Sequence, residues 1–215
     1  MQNKVTPPIK KTSSPGQQAL SGIISIVVIL IVGAVVRTVF ADHGNGSISD
    51  QVQYAISDTS PQPFTSTAYG FKISFPGYPT VNNETIQSNG YSLPETVYER
   101  ANDNNTAYVA AGYNLSSLPD FSSDPNSVLE SSLNGAVEAM GKADGMTSAS
   151  ITSSSFNQFL DLPGLQATVD LKTTDGNDYT AYFQIFLKAD KMFAIETVGI
   201  SQNDFNTFTR SFSFT

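Results

Sequence analysis

Nineteen carboxylates, one histidine and no cysteine set the chemical repertoire of this 215-residue chain. His43 follows a long apolar run and lies in a polar stretch, away from the part that reads as folded. Ser-His-Asp and zinc-histidine catalysis therefore have no histidine in that part. Without cysteine there are no disulfides, thiolate metal sites, cysteine nucleophiles or lipidated cysteine. Neither G-x-S-x-G nor S-x-x-K occurs, and neither a P-loop nor G-x-G-x-x-G is present.

Carboxylates remain. Glycosidic hydrolysis needs two of them facing across a cleft, and no sequence feature singles out a pair, so they read as solvated surface acids. "NDNN" at 102–105 and "DGND" at 175–178 carry oxygen ligands suited to weak calcium binding. Neither fits the twelve-residue calcium loop, and both fall where hairpin turns are needed, so turn chemistry is the better account. Tyr91, Tyr98, Tyr108, Tyr113 and Tyr182 offer an aromatic surface for a protein partner or glycan. Their competing role is to cover sheet edges and helix–sheet seams. No residue qualifies as catalytic, cofactor-binding or metal-ligating, and the chain reads as a non-enzyme.

Charge narrows the partners. Only Lys4, Lys10, Lys11 and Arg37 are charged before Asp42; from there on, 7 basic residues face 19 acidic ones, a net −12. Such a surface repels phosphate backbones and anionic headgroups, which argues against nucleic acid and suits a soluble exposed domain.

"ALSGIISIVVILIVGAVV", residues 19–36, has no charge and only Ser21 and Ser25 as polar side chains. As a helix it is about 27 Å long, enough for a hydrocarbon core. Lysines precede it, so the positive-inside rule predicts a cytoplasmic N-terminus (1–18), a transmembrane anchor (19–40) and an extracytoplasmic remainder. Cleavage after Ala41 at Val39-Phe40-Ala41 is the rival, disfavoured by Arg37 and by the length of the apolar run. The Ser21/Ser25 spacing permits helix pairing, but such pairs are common by chance. Residues 41–68 are polar, contain Gly and Pro, and read as a tether, with Val52, Tyr54 and Ile56 as a short alternating run.

The folded part, 69–215, opens with "YGFKISFPGYPT": Phe71, Ile73 and Phe75 share one strand face, and Pro76-Gly77 stops the run. Strands follow at 81–87 and 91–100 around "SNG", at 106–114, and as a three-stranded meander over 166–172, 179–188 and 192–200. The 179–188 strand is apolar on both faces, which predicts a sheet covered on both sides. Two helices supply covers. Pro125 to Lys142, capped by Asp124, aligns Leu129, Leu133, Ala136, Val137 and Met140; a closing helix with Ser201 and Asp204 as capping pair aligns Phe205, Phe208 and Phe212.

The strand motif at Phe71–Pro79, the middle helix, the meander over Gln166–Ile200 and the closing segment Ser201–Phe214 together resemble the PsbP/Mog1-like superfamily. That resemblance implies an α+β fold with an antiparallel sheet sandwiched by helices. It also implies kinship with uncharacterised, membrane-anchored bacterial envelope proteins. Its motifs are packing motifs, so no ligand or partner residue carries over. The expectation is a membrane-anchored extracytoplasmic binding or assembly module with an unidentified protein partner. The alternatives are an envelope hydrolase using paired carboxylates and a cleaved secreted domain.

Overall fold

The computed structural model describes residues 61–88, 91–102, 105–118 and 124–215. The expected N-terminus and anchor (1–40), His43 and the Val52–Ile56 alternation lie outside the described residues. Among the described residues no helix is long and apolar enough to cross a membrane.

Strand β1 (Pro61–Ser66) falls in the stretch read as tether and pairs antiparallel with β2 (Phe71–Pro76), Phe64 opposite Ile73. Phe71, Ile73 and Phe75 are buried, as their alternation predicts. After β3 (Thr80–Ser88), β4 (Tyr91–Asn102) and β5 (Thr106–Asn114) comes helix α1 (Pro125–Lys142). Then follow β6 (Met146–Phe159), β7 (Leu162–Thr173), β8 (Asp178–Lys188), β9 (Lys191–Val198), α2 (Gln202–Arg210) and the two-residue β10 (Ser213–Phe214). The large sheet has the order β3-β4-β5-β9-β8-β7-β6, and β1-β2-β10 forms a second sheet. All pairings are antiparallel.

The helices form where their caps and stripes require. The Asp124 carboxylate accepts the Ser127 amide at 3.1 Å, and Pro125 takes the first helical position, where its missing N–H costs nothing. Asp124→Ala should lower stability by about 1 kcal/mol, read as a reduced denaturant midpoint with unchanged slope. Ser201 likewise accepts the Asp204 amide at 3.2 Å. The α2 helix stops at Arg210 and does not continue to Phe214. Ser213 and Phe214 instead add β10 to β2, with Phe214 opposite Phe71. Gly199, at φ +69, reverses the chain after β9 in a conformation that disfavours a side chain.

The large sheet is covered on both faces, as the doubly apolar β8 predicts. On one face α1 packs on β6, β7 and β8, joining Leu129, Leu133 and Met140 to Val169, Phe183 and Ile185. On the other face, α2 and the small sheet bring Phe71, Phe75, Phe205, Phe208 and Phe212 onto Phe186, Phe193 and Ile195. The second cover is thus a helix together with a sheet, where a helix alone was expected. The meander also has four strands, because β6 precedes it. Strand β6 is Ser-rich and mostly exposed, so its sequence lacks the apolar alternation by which a half-buried strand is recognised.

Candidate functional site

Buried ionisable groups concentrate where β4, β5 and β9 run side by side. Along β4, Leu93, Glu95, Val97 and Glu99 alternate onto the α1 face, and the two acids are each only 3% exposed. The register sets Glu95 opposite Tyr113 and Glu99 opposite Val109, which is in turn opposite Glu196 of β9. Glu99 and Glu196 thus flank one valine, two strand spacings or about 10 Å apart in the backbone. Glu196 is 2% exposed. Glu95 Oε2, Glu196 Oε1 and the Tyr113 hydroxyl have no hydrogen-bond partner among the described residues.

The electrostatics follow from that enclosure. Burial, reinforced by the negative charge of Glu99, pushes the Glu196 carboxyl up to about 8. Burial and the acid opposite it on β3, Glu84, raise Glu95 to about 7. The Tyr113 phenol is driven well above its ordinary range by burial, then by Glu95, Glu196 and Tyr69. The base nearest in sequence, Arg100, points to the opposite sheet face beside Tyr108, where its Nε and Nη2 have no partner among the described residues. At neutral pH, Glu196 is therefore held as a neutral acid. It is a proton donor closed away from solvent.

An open concavity borders this row of acids. A groove of about 360 Å³ is lined by Tyr69, Asn83, Glu84, Glu95, Thr96, Asn114 and Lys191 among others. Its floor is well fixed. The Tyr69 hydroxyl donates to the Pro94 carbonyl at 3.0 Å, and Thr96 Oγ1 donates to Asn83 Oδ1 at 2.8 Å. The Lys191 ammonium lies 5.8 Å from the centre of the Tyr69 ring. Burial pushes the Tyr69 phenol up to about 12, against an opposing hydrogen bond with Thr96, so the hydroxyl stays a donor throughout the physiological range. Gly112 makes the arrangement fit, since a Cβ there would stand 2.5 Å from the Tyr69 ring. Gly112→Ala should cost about 1–3 kcal/mol by displacing that ring. Thermal unfolding would measure the loss, and a quenched or shifted tyrosine signal would report the displacement.

The residues singled out from sequence do not converge. Tyr98 is buried and shares a 2.7 Å hydrogen bond with Ser66; Tyr108 packs edge-on against Phe208, and Tyr182 stacks on Phe205. Tyr113 lies on the other sheet face, and Tyr91 begins β4. Of the tyrosines singled out, Tyr98, Tyr108, Tyr113 and Tyr182 are thus packed into cores or seams between layers and form no exposed aromatic surface. In the 175–178 turn, Asp175 is engaged by the Thr173 hydroxyl and by Asn177 Nδ2, the latter at 2.8 Å, so its oxygens close the turn. In the 102–105 turn, Asn105 donates to the Tyr179 hydroxyl at 2.8 Å, while 103 and 104 lie outside the described residues. Among the described residues no three His, Cys, Asp or Glu side chains are grouped to hold a metal. Glu95, Glu99 and Glu196 were not singled out. The available signal was parity, because each takes a position in its strand that otherwise carries core residues.

No family model matches the chain, and no curated protein matches it in sequence. Among solved structures it is similar to the cyanobacterial PsbP protein (CyanoP) of Synechocystis sp. PCC 6803, at 11% identity and a TM-score of 0.47. That likeness covers 79% of this chain and 98% of CyanoP. A second similar structure is PA94 of Pseudomonas aeruginosa, a protein of unknown function, at 5% identity and a TM-score of 0.32, covering 68% of this chain and 87% of that one.

Proposed function

We propose that this protein is a membrane-anchored binding or assembly module of the PsbP/Mog1-like type, without catalytic activity. Residues 19–40 form a single-pass anchor, the N-terminus is cytoplasmic, and the folded domain lies outside the cytoplasm with a protein as its partner. The anchor reading is supported by the uncharged run and the preceding lysines. One observation carries the binding reading. The groove around Tyr69 and Lys191 is open and of mixed polarity, with Glu84 and Glu95 on its wall, whereas Glu99 and Glu196 are buried away from it. A groove with a fixed aromatic floor, a cation and amide side chains suits recognition of a partner's polar segment.

Hydrolysis by paired carboxylates is the weaker reading, because a general acid must come within hydrogen-bond reach of a substrate. Glu99 and Glu196 are too enclosed for that, and Glu95, which borders the groove, is itself only 3% exposed. A cleaved secreted form would be recognised by a mature N-terminus after Ala41.

The deciding experiment is affinity capture of the tagged full-length protein from gently cross-linked, detergent-solubilised membranes. The controls are the anchor alone and the groove variant Lys191→Glu. The expected result is a reproducible partner that requires the folded domain and is depleted in the variant. The same proteins recovered with the anchor alone would overturn the reading.

A further inference from the structure

We propose that the β6 edge of the large sheet is a self-association surface, through which two copies of this chain pair antiparallel along Ser153–Phe159. This goes beyond the binding role above and does not depend on it.

Four sheet edges are present among the described residues: β1, β10, β3 and β6. An exposed edge offers unpaired backbone N–H and C=O groups to any passing strand, and proteins blunt it with proline, charge, bulges or brevity. Strand β1 carries Pro61 and Pro63, β10 has two residues, and β3 carries Glu84 at its centre. Strand β6 has 14 residues, "MTSASITSSSFNQF", with neither proline nor an ionisable side chain. Its only protection is two register shifts, between Met146 and Ser148 and between Ile151 and Ser153. From Ser153 to Phe159 it pairs with β7 without interruption, so its outer side is a straight, undefended ladder.

The occupant that fits is a second β6. The chain beyond Asp42 carries a net −12, so most faces of two copies repel, whereas β6 brings no charged side chain into cross-strand register. Phe156 is 49% exposed and Ile151 37% exposed on the α1 side of this edge. They border a cleft of about 140 Å³ whose other walls are Glu130, Leu133, Asn134, Ser154, Ser155 and Leu165, so the one acid at this edge belongs to α1 and not to the strand. An antiparallel pair centred on Phe156 would set the two Phe156 side chains and their neighbouring clefts face to face across the two-fold axis. Antiparallel pairing also closes the assembly at two copies.

The chain has no cysteine, which makes the test clean. The double substitution Ser154→Cys/Gln158→Cys, which an axis at Phe156 sets opposite each other in the two copies, is oxidised in the full-length protein in mild detergent, with Thr207→Cys on α2 as control. Disulfide dimers are expected for the β6 pair and not at the control. In sedimentation, Ser154→Lys/Gln158→Lys should weaken self-association about tenfold through like-charge pairs. Mixing it with Ser154→Glu/Gln158→Glu should restore the dimer, with circular dichroism verifying that each variant is folded. A monomeric wild type at micromolar concentration, a dimer indifferent to the lysines, or an open-ended assembly would each overturn the proposal.

Discussion

Raising the pH from 5 to 9 should destabilise this protein by several kcal/mol, and Glu196→Gln should abolish the larger part of that loss. In the unfolded chain Glu196 ionises near its ordinary value of 4.5; in the fold it ionises near 8. Between those values the folded state holds a proton that the unfolded state has released. Stability therefore falls as pH rises, by about 1.4 kcal/mol per unit, and levels off above the folded value. The full window corresponds to at most about 5 kcal/mol, and structural relaxation or water entry would reduce it. Glu95, raised to about 7, adds a smaller loss of the same sign over a lower window. The charged group acting on Glu196 from a neighbouring strand is Glu99 on β4, which raises its proton affinity. Urea midpoints of wild type and Glu196→Gln at pH 5, 7 and 9 would decide the matter, with Glu138→Gln on exposed α1 surface as control. Parallel profiles for wild type and Glu196→Gln would show that the carboxyl is not desolvated as described.

The second large effect concerns the aromatic layer. Phe193→Ala should cost about 3–5 kcal/mol, the range for emptying a large buried side chain that its surroundings cannot refill. Phe193 is 1% exposed, and its ring centre lies within 5.3 Å of Phe186 and Phe214 and within 6.3 Å of Tyr69, Phe71 and Phe212. Those rings come from the β1–β2 connection, β2, β8, the segment after α2, and β10. One truncation therefore loosens the small sheet and the chain end together. Phe193→Leu should cost clearly less, since it retains most of the apolar volume. Denaturant unfolding distinguishes the two. Amide exchange should show β2 and β10 losing protection first in Phe193→Ala. An alanine variant as stable as one at exposed Phe156 would contradict the account of this layer.

The two effects also show what local sequence could and could not reveal. The alternation of Phe71, Ile73 and Phe75, the doubly apolar β8 and the capped stripe of α1 were legible because period and cap chemistry are properties of neighbouring residues. Strand β6 was not, because an edge strand exposed along most of its length needs no apolar alternation. Strand β10 was hidden for a different reason. Ser213 and Phe214 extend a helical-looking run, and only the free edge of β2 draws them out of it. The acids were visible as residues but not as a group. Glu99 and Glu196 are 97 positions apart in the numbering, and only the β4-β5-β9 strand order places both beside Val109.

By itself the amino-acid sequence determined the excluded chemistries, the acid excess beyond Asp42, the apolar run at 19–36, and the positions of most strands and both helices. These follow from residue type and short-range period. Tertiary structure alone decided the strand order, the second sheet under α2, the burial of Glu95 and Glu196, and the undefended edge at β6. Each of these depends on which distant strand becomes a neighbour, and hydrogen-bond register and burial set that choice across the whole fold.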